Sequence, residues 1–340
     1  MIVNIPLHIF HEKSILITGG LGSIGREILK NLLPFKPKQI RILDNRETEL
    51  FHCRQEYRHE KSIRFLYGDV RDKERLLKAS QGIDIIFHAA ALKHVSLCEY
   101  DPYEAIKTNV LGTYNILESA MVNKVDKVIL ISTDKAVNPS NVMGTTKLLA
   151  ERLLSSMYYH RGRSQTKFAS VRFGNVLSSR GSVLEIWNQQ LSQNKKITIT
   201  DLAMTRFLMS IPDSVALIFY ATFLAEEGET FILKMNSVVI QDLAEVFLEL
   251  NHKPTDFYEI IGRKHGEKIH EDLIFNDERD ILLENDLLFV RLPYAEDLTA
   301  LTRQFKEKMF IPTTRATFSS LDSDLILDKL RIKELLLKQI

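Results

Sequence analysis

Short apolar runs alternate with longer stretches of helical periodicity in the first half of the chain, a pattern typical of a parallel α/β sheet. The helical stretches are Ser23–Leu33, Tyr103–Val122 and Thr145–Tyr159, and a loop at Asn138–Asn141 precedes the last of them. The apolar runs predict strands at Ser14–Thr18, Gln39–Leu43, Ile63–Tyr67, Ile83–His88, Val128–Ser132 and Lys167–Phe173.

The second half of the chain has a more broken pattern. It predicts helices at Ser182–Asn194, Ser214–Glu226 and Ile240–Leu250, and strands at Lys196–Thr200, Phe231–Met235 and Phe257–Ile261. We therefore predict an α/β fold with a Rossmann-type doubly wound parallel sheet from residues 1–174 and 206–235. A smaller mixed α/β domain is predicted for residues 175–205 and 236–340.

Composition excludes several classes of protein. The chain has 340 residues, of which 45% are hydrophobic and 26% charged, as in ordinary globular proteins. Lys and Arg number 45 against 44 Asp and Glu, so no nucleic-acid partner is expected. Cys53 and Cys98 have neither disulfide-framework nor metal-ligand spacing. Without an apolar run of about 20 residues or a basic leader, we expect a cytoplasmic protein with no membrane partner. The histidines also lack metal-ligand spacing, so we expect no metal.

A buried-strand run leads directly into a glycine-rich turn, Gly19-Gly20-Leu21-Gly22-Ser23-Ile24-Gly25. Glycines permit a tight turn, let backbone N–H groups approach a pyrophosphate, and let the following helix pack closely on the strand. The helix N-terminus adds the positive end of its dipole. The unit Ser14–Asp44 is therefore predicted to bind an NAD-type dinucleotide.

Asp44 lies about 20 residues beyond the glycines, where a carboxylate accepts hydrogen bonds from the adenosine ribose and repels a 2′-phosphate. This favours NAD, although Arg46 is placed to bind a 2′-phosphate, so NADP stays open. Asp69 is expected to meet the adenine amino group, and Ala89-Ala90-Ala91 to allow close approach of the backbone. The predicted cofactor-binding residues are Thr18, Gly19, Gly22, Ser23, Ile24, Gly25, Asp44, Arg46, Asp69, Val70, Ala89, Ala90 and Lys147.

Ionisable groups follow the fifth predicted strand. Thr133-Asp134-Lys135 stands at its carboxyl end, where α/β sheets place their chemistry, and Lys147 is predicted to open the next helix. Here the chain resembles the extended short-chain dehydrogenase/reductases, which place a Tyr and a Lys four residues apart. The Lys is kept as Lys147, whereas Met143 occupies the Tyr position.

The whole run Ser132–Lys147 resembles the capsular-polysaccharide and flagellin-glycosylation branch of that superfamily. These proteins are UDP-N-acetylglucosamine 4,6-dehydratases and close relatives, several of which carry Met in place of Tyr. The resemblance extends from about residue 12 to 275 and weakens beyond. Other stretches that resemble this branch are Ala89–Val95, Val171–Leu177, Ser179–Val183, Met204–Phe207 and Gly266–Glu271.

The resemblance implies that bound NAD⁺ takes hydride from sugar C4, that the C5 proton and the C6 hydroxyl then leave, and that hydride returns to C6. In that scheme Thr133 positions the C4 hydroxyl, Asp134 is the acid at O6, and Lys135 is the base at C5. A lysine serves as a base only if its pKa falls from about 10.4, and Lys147 is a candidate source of the charge that lowers it. Lys147 should also hold the nicotinamide ribose. Because Met143 cannot take the C4 hydroxyl proton, Asp134, Lys147 and water stay open as acceptors.

The resemblance also implies that the smaller domain, residues 175–205 and 236–340, binds a UDP-sugar. Arg206 is the preferred diphosphate ligand because its planar guanidinium suits phosphate oxygens. Lys93 and His94 are expected near the sugar. The predicted substrate-binding residues are Lys93, His94, Asn175, Arg180, Thr205, Arg206 and Lys268.

Two other functions stay open. A nucleotide-sugar 4-epimerase or a C5-inverting dehydratase would use the same transient C4 oxidation. A non-catalytic NAD-binding protein is the more remote alternative. The amphipathic stretches Tyr103–Val122 and Thr145–Tyr159 are expected to pair in a homo-oligomer or to bury their apolar faces in the core, and the segment from Asp277 onward gives no functional signal.

Overall fold

Strands and helices account for much of this computed structural model, which describes residues 5–160, 162–177, 179–315 and 317–337. The strands are β1 Ser14–Thr18, β2 Gln39–Asp44, β3 Ile63–Tyr67, β4 Ile85–His88, β5 Lys127–Ile131, β6 Lys167–Arg172, β7 Asn175–Val176, β8 Ile197–Ile199, β9 Thr205–Met209, β10 Glu229–Leu233, β11 Ser237–Val239, β12 Tyr258–Ile260, β13 Leu282–Glu284, β14 Leu288–Arg291 and β15 Ile311–Pro312. The α-helices are α1 Ser23–Leu32, α2 Glu47–Glu56, α3 Lys73–Ala79, α4 Val95–Tyr100, α5 Pro102–Ala105, α6 Gly112–Val122, α7 Val142–His160, α8 Val183–Ser192, α9 Ile211–Leu224, α10 Ile240–Leu250, α11 Thr299–Glu307 and α12 Lys329–Leu337. A π-helix spans Ile106–Leu111, and short 3-10 helices lie at Leu7–Ile9, Leu33–Phe35, Asp134–Ala136 and Asn276–Ile281.

One large sheet organises the molecule. Its strand order is β15-β13-β14-β10-β6-β5-β4-β1-β2-β3. The strands from β3 to β10 are parallel, and β14, β13 and β15 continue the sheet in antiparallel pairs. The order changes direction between β1 and β4, where open α/β sheets bind dinucleotides. The predicted Rossmann-type fold is confirmed.

Most predicted elements of the first half are present within a few residues of their expected ends. The stretch predicted as one helix from Tyr103 to Val122 is instead α5, the π-helix and α6 in succession. In the π-helix the Asn109 amide accepts from the Leu92 N–H at 2.8 Å and donates to the Leu92 carbonyl at 3.0 Å. Helix α7 begins at Val142, so Lys147 lies inside it and does not open it as predicted.

The predicted division into two domains does not follow the sheets at two places. Strand β9 pairs with β11 and β7 in a three-stranded sheet, so residues 205–209 lie outside the large sheet, although Phe207 and Met209 pack in its core. Strands β13 to β15, expected in the substrate domain, extend the large sheet. The hydrophobic pattern does not predict these strands, because β14 ends in a buried arginine, Arg291, which pairs with Glu278 inside the core.

Four charged side chains are buried together beside the large sheet. Arg172 on β6 binds Glu151 of α7 at 2.6 Å and Glu278 at 3.0 Å, and Arg291 lies 3.3 Å from Glu278. All four side chains are at most 1% exposed. This buried ion cluster joins β6, α7 and the C-terminal strands, and a buried charge without its partner is strongly destabilising.

Candidate active site

An open cleft of about 940 Å³ runs along the carboxyl ends of the parallel strands. Cofactor and ligand pockets are commonly of about 300–1,000 Å³. Its lining brings together most of the predicted site residues: Gly19, Gly22, Ser23, Ile24, Gly25, Asp44, Arg46, Asp69, Val70, Ala89, Ala90, Lys93, His94, Thr133, Lys135, Met143, Lys147, Asn175 and Arg180. Thr18, Asp134, Thr205, Arg206 and Lys268 lie outside that lining.

The glycine turn after β1 is shaped by close backbone contacts. Gly19 has φ +64°, in the left-handed region that favours glycine, and a Cβ there would lie 2.6 Å from the Cα of Ala90. A Cβ on Gly25 would lie 2.5 Å from the carbonyl oxygen of Gly19. Side chains at these positions would collide with the backbone of the turn and of the residues after β4, so only glycine allows the close packing beside the N-terminus of α1 that a dinucleotide-binding turn has.

Asp44 closes β2 at the ribose end of the cleft. Its carboxylate accepts from the Leu21 N–H at 3.1 Å. Arg46 donates to both carboxylate oxygens, from Nε and Nη2, each at 3.0 Å. The guanidinium therefore partly neutralises the carboxylate expected to hold the ribose. Asp69, which is expected to meet the adenine, pairs with Arg71 at 2.7 Å.

Thr18 lies behind the turn and not in the cleft. Its hydroxyl shares a 2.7 Å hydrogen bond with Nδ1 of His88, and Nε2 of that histidine lies 3.1 Å from the Thr113 hydroxyl. Burial, with the nearby Lys147 charge, lowers the pKa of His88 to about 3. This neutral histidine fixes the end of β4 against β1 and was not singled out by the sequence pattern.

Thr133, Asp134 and Lys135 form one hydrogen-bonded chain after β5. The Asp134 Oδ1 accepts from the Thr133 hydroxyl at 2.8 Å and from Lys135 Nζ at 3.0 Å. The Asp134 N–H donates to the carbonyl of Phe173 at 3.0 Å, which ties the turn to the end of β6. Thr133 and Lys135 face the cleft, whereas Asp134 is fully buried, so it does not reach a ligand directly as the sequence hypothesis required.

The pKa of Lys135 differs from the sequence hypothesis. Burial alone lowers it, but the carboxylates of Asp134 and Glu271 outweigh burial, and the net pKa is raised. The cation that lowers the pKa of Lys135 is Arg206, whereas the sequence hypothesis gave this role to Lys147. A neutral Lys135 base is therefore disfavoured until one of the carboxylates is neutralised.

Lys147 and Met143 lie on one side of α7 facing the cleft. Lys147 Nζ donates to the carbonyl of Ile131 at 2.9 Å, and burial lowers its pKa to about 8. Met143 is 4% exposed and packs with Cys98 and Ala105. A thioether has no proton to exchange, so the residue at the position that carries Tyr in the superfamily cannot act as an acid or a base here.

The backbone of Arg180 contacts both the glycine turn and the residues that follow β4. The Arg180 N–H donates to the Ser23 hydroxyl at 3.0 Å, and Lys93 Nζ donates to the Arg180 carbonyl. His94 caps the start of α4 and lies against Gly181. Asn175, expected on the nucleotide, accepts from Lys135 Nζ at 3.1 Å through Oδ1. These residues join the glycine turn to the end of β4.

Thr205, Arg206 and Lys268 order the wall behind the cleft. The Arg206 guanidinium donates to the carbonyls of Thr205, Ile269 and Lys268 at 2.8 to 2.9 Å. Thr205 contacts His270 and Ser320 through its hydroxyl, at 2.8 and 2.7 Å. The guanidinium thus holds backbone carbonyls in place, and its contact with the diphosphate stays a prediction.

Glu271 is a site residue that the sequence hypothesis did not assign. Its carboxylate is 3.7 Å from Lys135 Nζ and 3.7 Å from Lys268 Nζ. Lys268 Nζ also donates to the carbonyl of Val137 at 2.6 Å. Burial, with the charge of Asp134, raises the pKa of Glu271 against the opposing lysines. The motif Gly266–Glu271 includes Glu271, but the sequence alone could not indicate which charged side chain of the motif lies beside Lys135.

Comparison with known proteins identifies the family. The pattern of the family described as polysaccharide biosynthesis protein matches residues 15–290. The chain belongs to this family. An uncharacterized membrane protein of Methanocaldococcus jannaschii is 53% identical, over 85% of this chain and 88% of that protein. A protein named UDP-glucose 4-epimerase from Rickettsia bellii is 43% identical, over 79% and 80% respectively. The capsular polysaccharide biosynthesis protein CapD of Staphylococcus aureus is 42% identical, over 78% of this chain and 46% of CapD.

Solved structures agree with this assignment. Pen from Bacillus thuringiensis is 40% identical and superposes with a TM-score of 0.89, covering 97% of this chain and 100% of Pen. The dTDP-glucose 4,6-dehydratase DesIV of Streptomyces venezuelae, solved with NAD, has 19% identity and a TM-score of 0.70, covering 75% of this chain and 86% of DesIV, and shows the shared fold. The protein is an extended short-chain dehydrogenase/reductase of the nucleotide-sugar dehydratase and epimerase kind. In the part of the chain that the structure describes, no helix is long and apolar enough to cross a membrane.

Proposed function

We propose that this protein is a UDP-N-acetylglucosamine 4,6-dehydratase that makes a UDP-4-keto-6-deoxy-N-acetylhexosamine for surface polysaccharide or glycan synthesis. One observation carries the proposal. A hydroxyl, a carboxyl and an amine, from Thr133, Asp134 and Lys135, form one hydrogen-bonded chain at the cleft wall. Dehydration of a 4-ketosugar needs proton transfer at C5 and at the C6 oxygen, and this chain supplies groups that exchange protons.

NAD is the proposed cofactor, with NADP as the second candidate. It supplies a hydride acceptor that returns the hydride within one turnover. Gly19 and Gly25 leave the space for its pyrophosphate, and Asp44 faces the ribose end. The ammonium of Lys147 has three donors, of which the Ile131 carbonyl takes one, so others are left for the nicotinamide ribose.

The sugar nucleotide is proposed to occupy the opposite arm of the cleft. Lys93, His94, Arg180 and Asn175 line that arm. Arg206, Thr205 and Lys268 are proposed to act one layer behind it, since their polar groups order the backbone there. We propose a nucleoside diphosphate hexose because this arm carries two cations, Lys93 and Arg180, that suit a diphosphate.

A 4-epimerase is the second candidate, favoured by the name of the Rickettsia bellii relative. Epimerisation removes hydride from C4 and returns it to C4. Epimerisation therefore does not require an ammonium beside a buried carboxylate. The position of Lys135 therefore favours dehydration.

Product analysis tests the proposal. Purified protein incubated with UDP-N-acetylglucosamine in D₂O should give a 4-ketosugar with a C6 methyl group and deuterium at C5, by NMR. Lys135→Ala should abolish this product, at least about 100-fold, while NAD binding measured by calorimetry stays within twofold. UDP-N-acetylgalactosamine as the product would establish the epimerase instead, and near-normal dehydration by Lys135→Ala would refute the role of Lys135.

A further inference from the structure

The strand order of the large sheet indicates where the adenine end of a bound dinucleotide lies. The glycine turn follows β1, Asp44 ends β2 and the segment 68–71 follows β3, and these three strands are neighbours in the order β1-β2-β3. A pyrophosphate at the glycine turn and a ribose at Asp44 therefore direct the adenine toward the end of β3. Asp69, Val70 and Arg71 line the cleft there.

The carboxylate of Asp69 already accepts four hydrogen bonds. Its Oδ1 accepts from the backbone N–H of Arg71 at 2.9 Å and from Nε of Arg71 at 3.0 Å. Its Oδ2 accepts from Nη2 of Arg71 at 2.7 Å and from Nδ2 of Asn45 at 3.2 Å. Because the two oxygens of a carboxylate offer about four acceptor positions, the adenine amino group could bond to Asp69 only by displacing Arg71 or Asn45.

The guanidinium of Arg71 is held along two edges by carboxylates. Asp69 accepts from Nε and Nη2 in a fork, and Glu104 of α5 accepts from Nη1 at 2.6 Å. All N–H donors of an arginine lie in the plane of its guanidinium, so these bonds fix the plane and leave its faces for other contacts. The Arg71 side chain is 41% exposed and lines the cleft, where a planar ligand can reach it.

We propose that Arg71 binds the adenine of the cofactor by stacking the face of its guanidinium on the ring, and that Asp69 acts through Arg71 by holding that plane. This inference rests on the proposed binding of NAD in the cleft. A guanidinium stacks well on an aromatic face because it is planar, delocalised and weakly hydrated. The contact differs from the sequence hypothesis, in which the carboxylate of Asp69 meets the adenine amino group.

Dinucleotide binding, measured by calorimetry, tests the role of Arg71 without any catalysed reaction. Arg71→Ala should weaken NAD binding about fivefold to 30-fold. Arg71→Lys keeps the positive charge but not the plane, so it should recover less than about threefold of that loss. Arg64→Ala is the matched control, because Arg64 of β3 bonds to backbone carbonyls of Lys61 and Ile63. It should bind NAD as wild type does.

A second dinucleotide separates stacking from hydrogen bonding. Nicotinamide hypoxanthine dinucleotide carries an oxygen in place of the adenine amino group, and its ring still stacks. Arg71→Ala should therefore weaken the binding of both dinucleotides by the same factor, within about twofold. Asp69→Asn should weaken NAD binding, because an amide cannot accept the fork of Arg71 through both atoms, but should leave the ratio of the two affinities unchanged. The double variant should bind NAD no more weakly than Arg71→Ala alone, since Asp69 acts through Arg71.

A magnetic resonance signal distinguishes stacking from a merely structural role of Arg71. The Hε proton of Arg71, assigned by its loss in Arg71→Lys, should move upfield when NAD binds, because it then lies over the face of the adenine ring. A role limited to joining Asp69 and Glu104 would not produce this ring-current shift.

Three results would overturn the inference. One is NAD binding by Arg71→Ala within about twofold of wild type. Another is an Hε signal that does not move upfield with NAD. The third is a change of more than about fivefold in the ratio of the two affinities in Asp69→Asn, which would show that Asp69 bonds to the amino group itself. Failure of wild type to bind NAD would instead refute the proposed cofactor, so the two failures are distinguishable.

Discussion

The ammonium of Lys135 is surrounded by acceptors from three segments of the chain. Asp134 Oδ1 lies at 3.0 Å, Asn175 Oδ1 at 3.1 Å and Glu271 Oε1 at 3.7 Å. Ser320 holds the backbone of Glu271 through two hydrogen bonds of 2.9 and 2.8 Å. The C-terminal segment, which gave no functional signal in the sequence, thereby fixes a charge beside the Lys135 ammonium.

Glu271→Gln is predicted to shift the alkaline limb of dehydration to lower pH. Glu271 is one of the charges that raise the pKa of Lys135, so its removal lowers that pKa. If the protonated Lys135 serves the departing hydroxyl, activity is then lost at lower pH on the alkaline side. The limb is measured from initial rates of product formation across the alkaline range. We expect the limb to move to lower pH by about one pH unit relative to wild type.

A matched control is available on α10. Glu249→Gln removes an exposed glutamate that pairs with Lys333 at 2.8 Å, far from the cleft. It should leave the pH profile unchanged. An unshifted limb in Glu271→Gln would mean that Glu271 does not set the charge state of Lys135.

The sequence predicted which side chains form the site better than it predicted how those side chains are arranged. Thr133, Lys135, Met143 and Lys147 meet in the cleft as expected, because strand ends of a parallel sheet converge at one edge. The burial of Asp134 could not be predicted, since it depends on β6 packing over the turn. Whether a charged residue such as Glu271 faces a lysine or water is a tertiary property that no local pattern carries.

Helix α7 meets the turn that carries Thr133 and Lys135 at a glycine. Gly144 is buried on the helix side that faces the Asp134–Ala136 turn. A Cβ on Gly144 would overlap the carbonyl oxygen of Lys135 and approach Pro139 at 3.2 Å. The absence of a side chain at Gly144 thus sets the spacing between α7 and the turn that carries Lys135.

Gly144→Ala is predicted to displace the turn. Overpacking of this kind costs about 1–3 kcal/mol, and a displacement near 1 Å at reacting groups reduces rates about 100-fold. We expect dehydration to fall at least tenfold with NAD affinity changed less than threefold, measured by rate assay and calorimetry. Leu149→Ala, at an exposed position of the same helix, is the control. Full activity in Gly144→Ala would show that the turn tolerates this displacement.

Strands of the first half were predictable because each contains a short run of apolar residues. The five residues of β1 are all buried, and a run of this kind is typical of a strand covered on both faces. The π-helix at Ile106–Leu111 was not predictable, since it depends on Asn109 bonding to Leu92 across the fold. Strands β13 to β15 were also missed, because short antiparallel strands with charged neighbours carry a weak pattern.

The whole molecule contains a buried acid at the edge of the sheet opposite the cleft. Glu229, the first residue of β10, is fully buried and accepts from the N–H groups of Glu226 and Glu227 at 3.1 and 2.7 Å. Burial raises its pKa to about 7. The folded state therefore binds this proton more tightly than the unfolded chain does, so stability falls as pH rises from about 4.5 through 7.

Glu229→Gln is predicted to remove that pH dependence. The free energy of unfolding of the variant, relative to wild type, should increase by roughly 3 kcal/mol between pH 4.5 and pH 8. Urea denaturation at several pH values measures the difference, and any constant cost of the lost acceptor cancels. Dehydration at pH 7 should be unaffected, since Glu229 is at the far end of its strand. A pH-independent difference between the two proteins would refute the assignment.

The buried ion cluster of Glu151, Arg172, Glu278 and Arg291 also constrains how this protein can be recombined. Its members come from α7, β6 and the C-terminal segment, and each neutralises another inside the core. A chimera that joins the first 270 residues of this chain to the C-terminal part of a relative must inherit a compatible acid and base at positions 278 and 291. Crossovers that separate these partners would leave uncompensated charge in the interior. Viable exchanges between family members will therefore keep the four positions as a single heritable block.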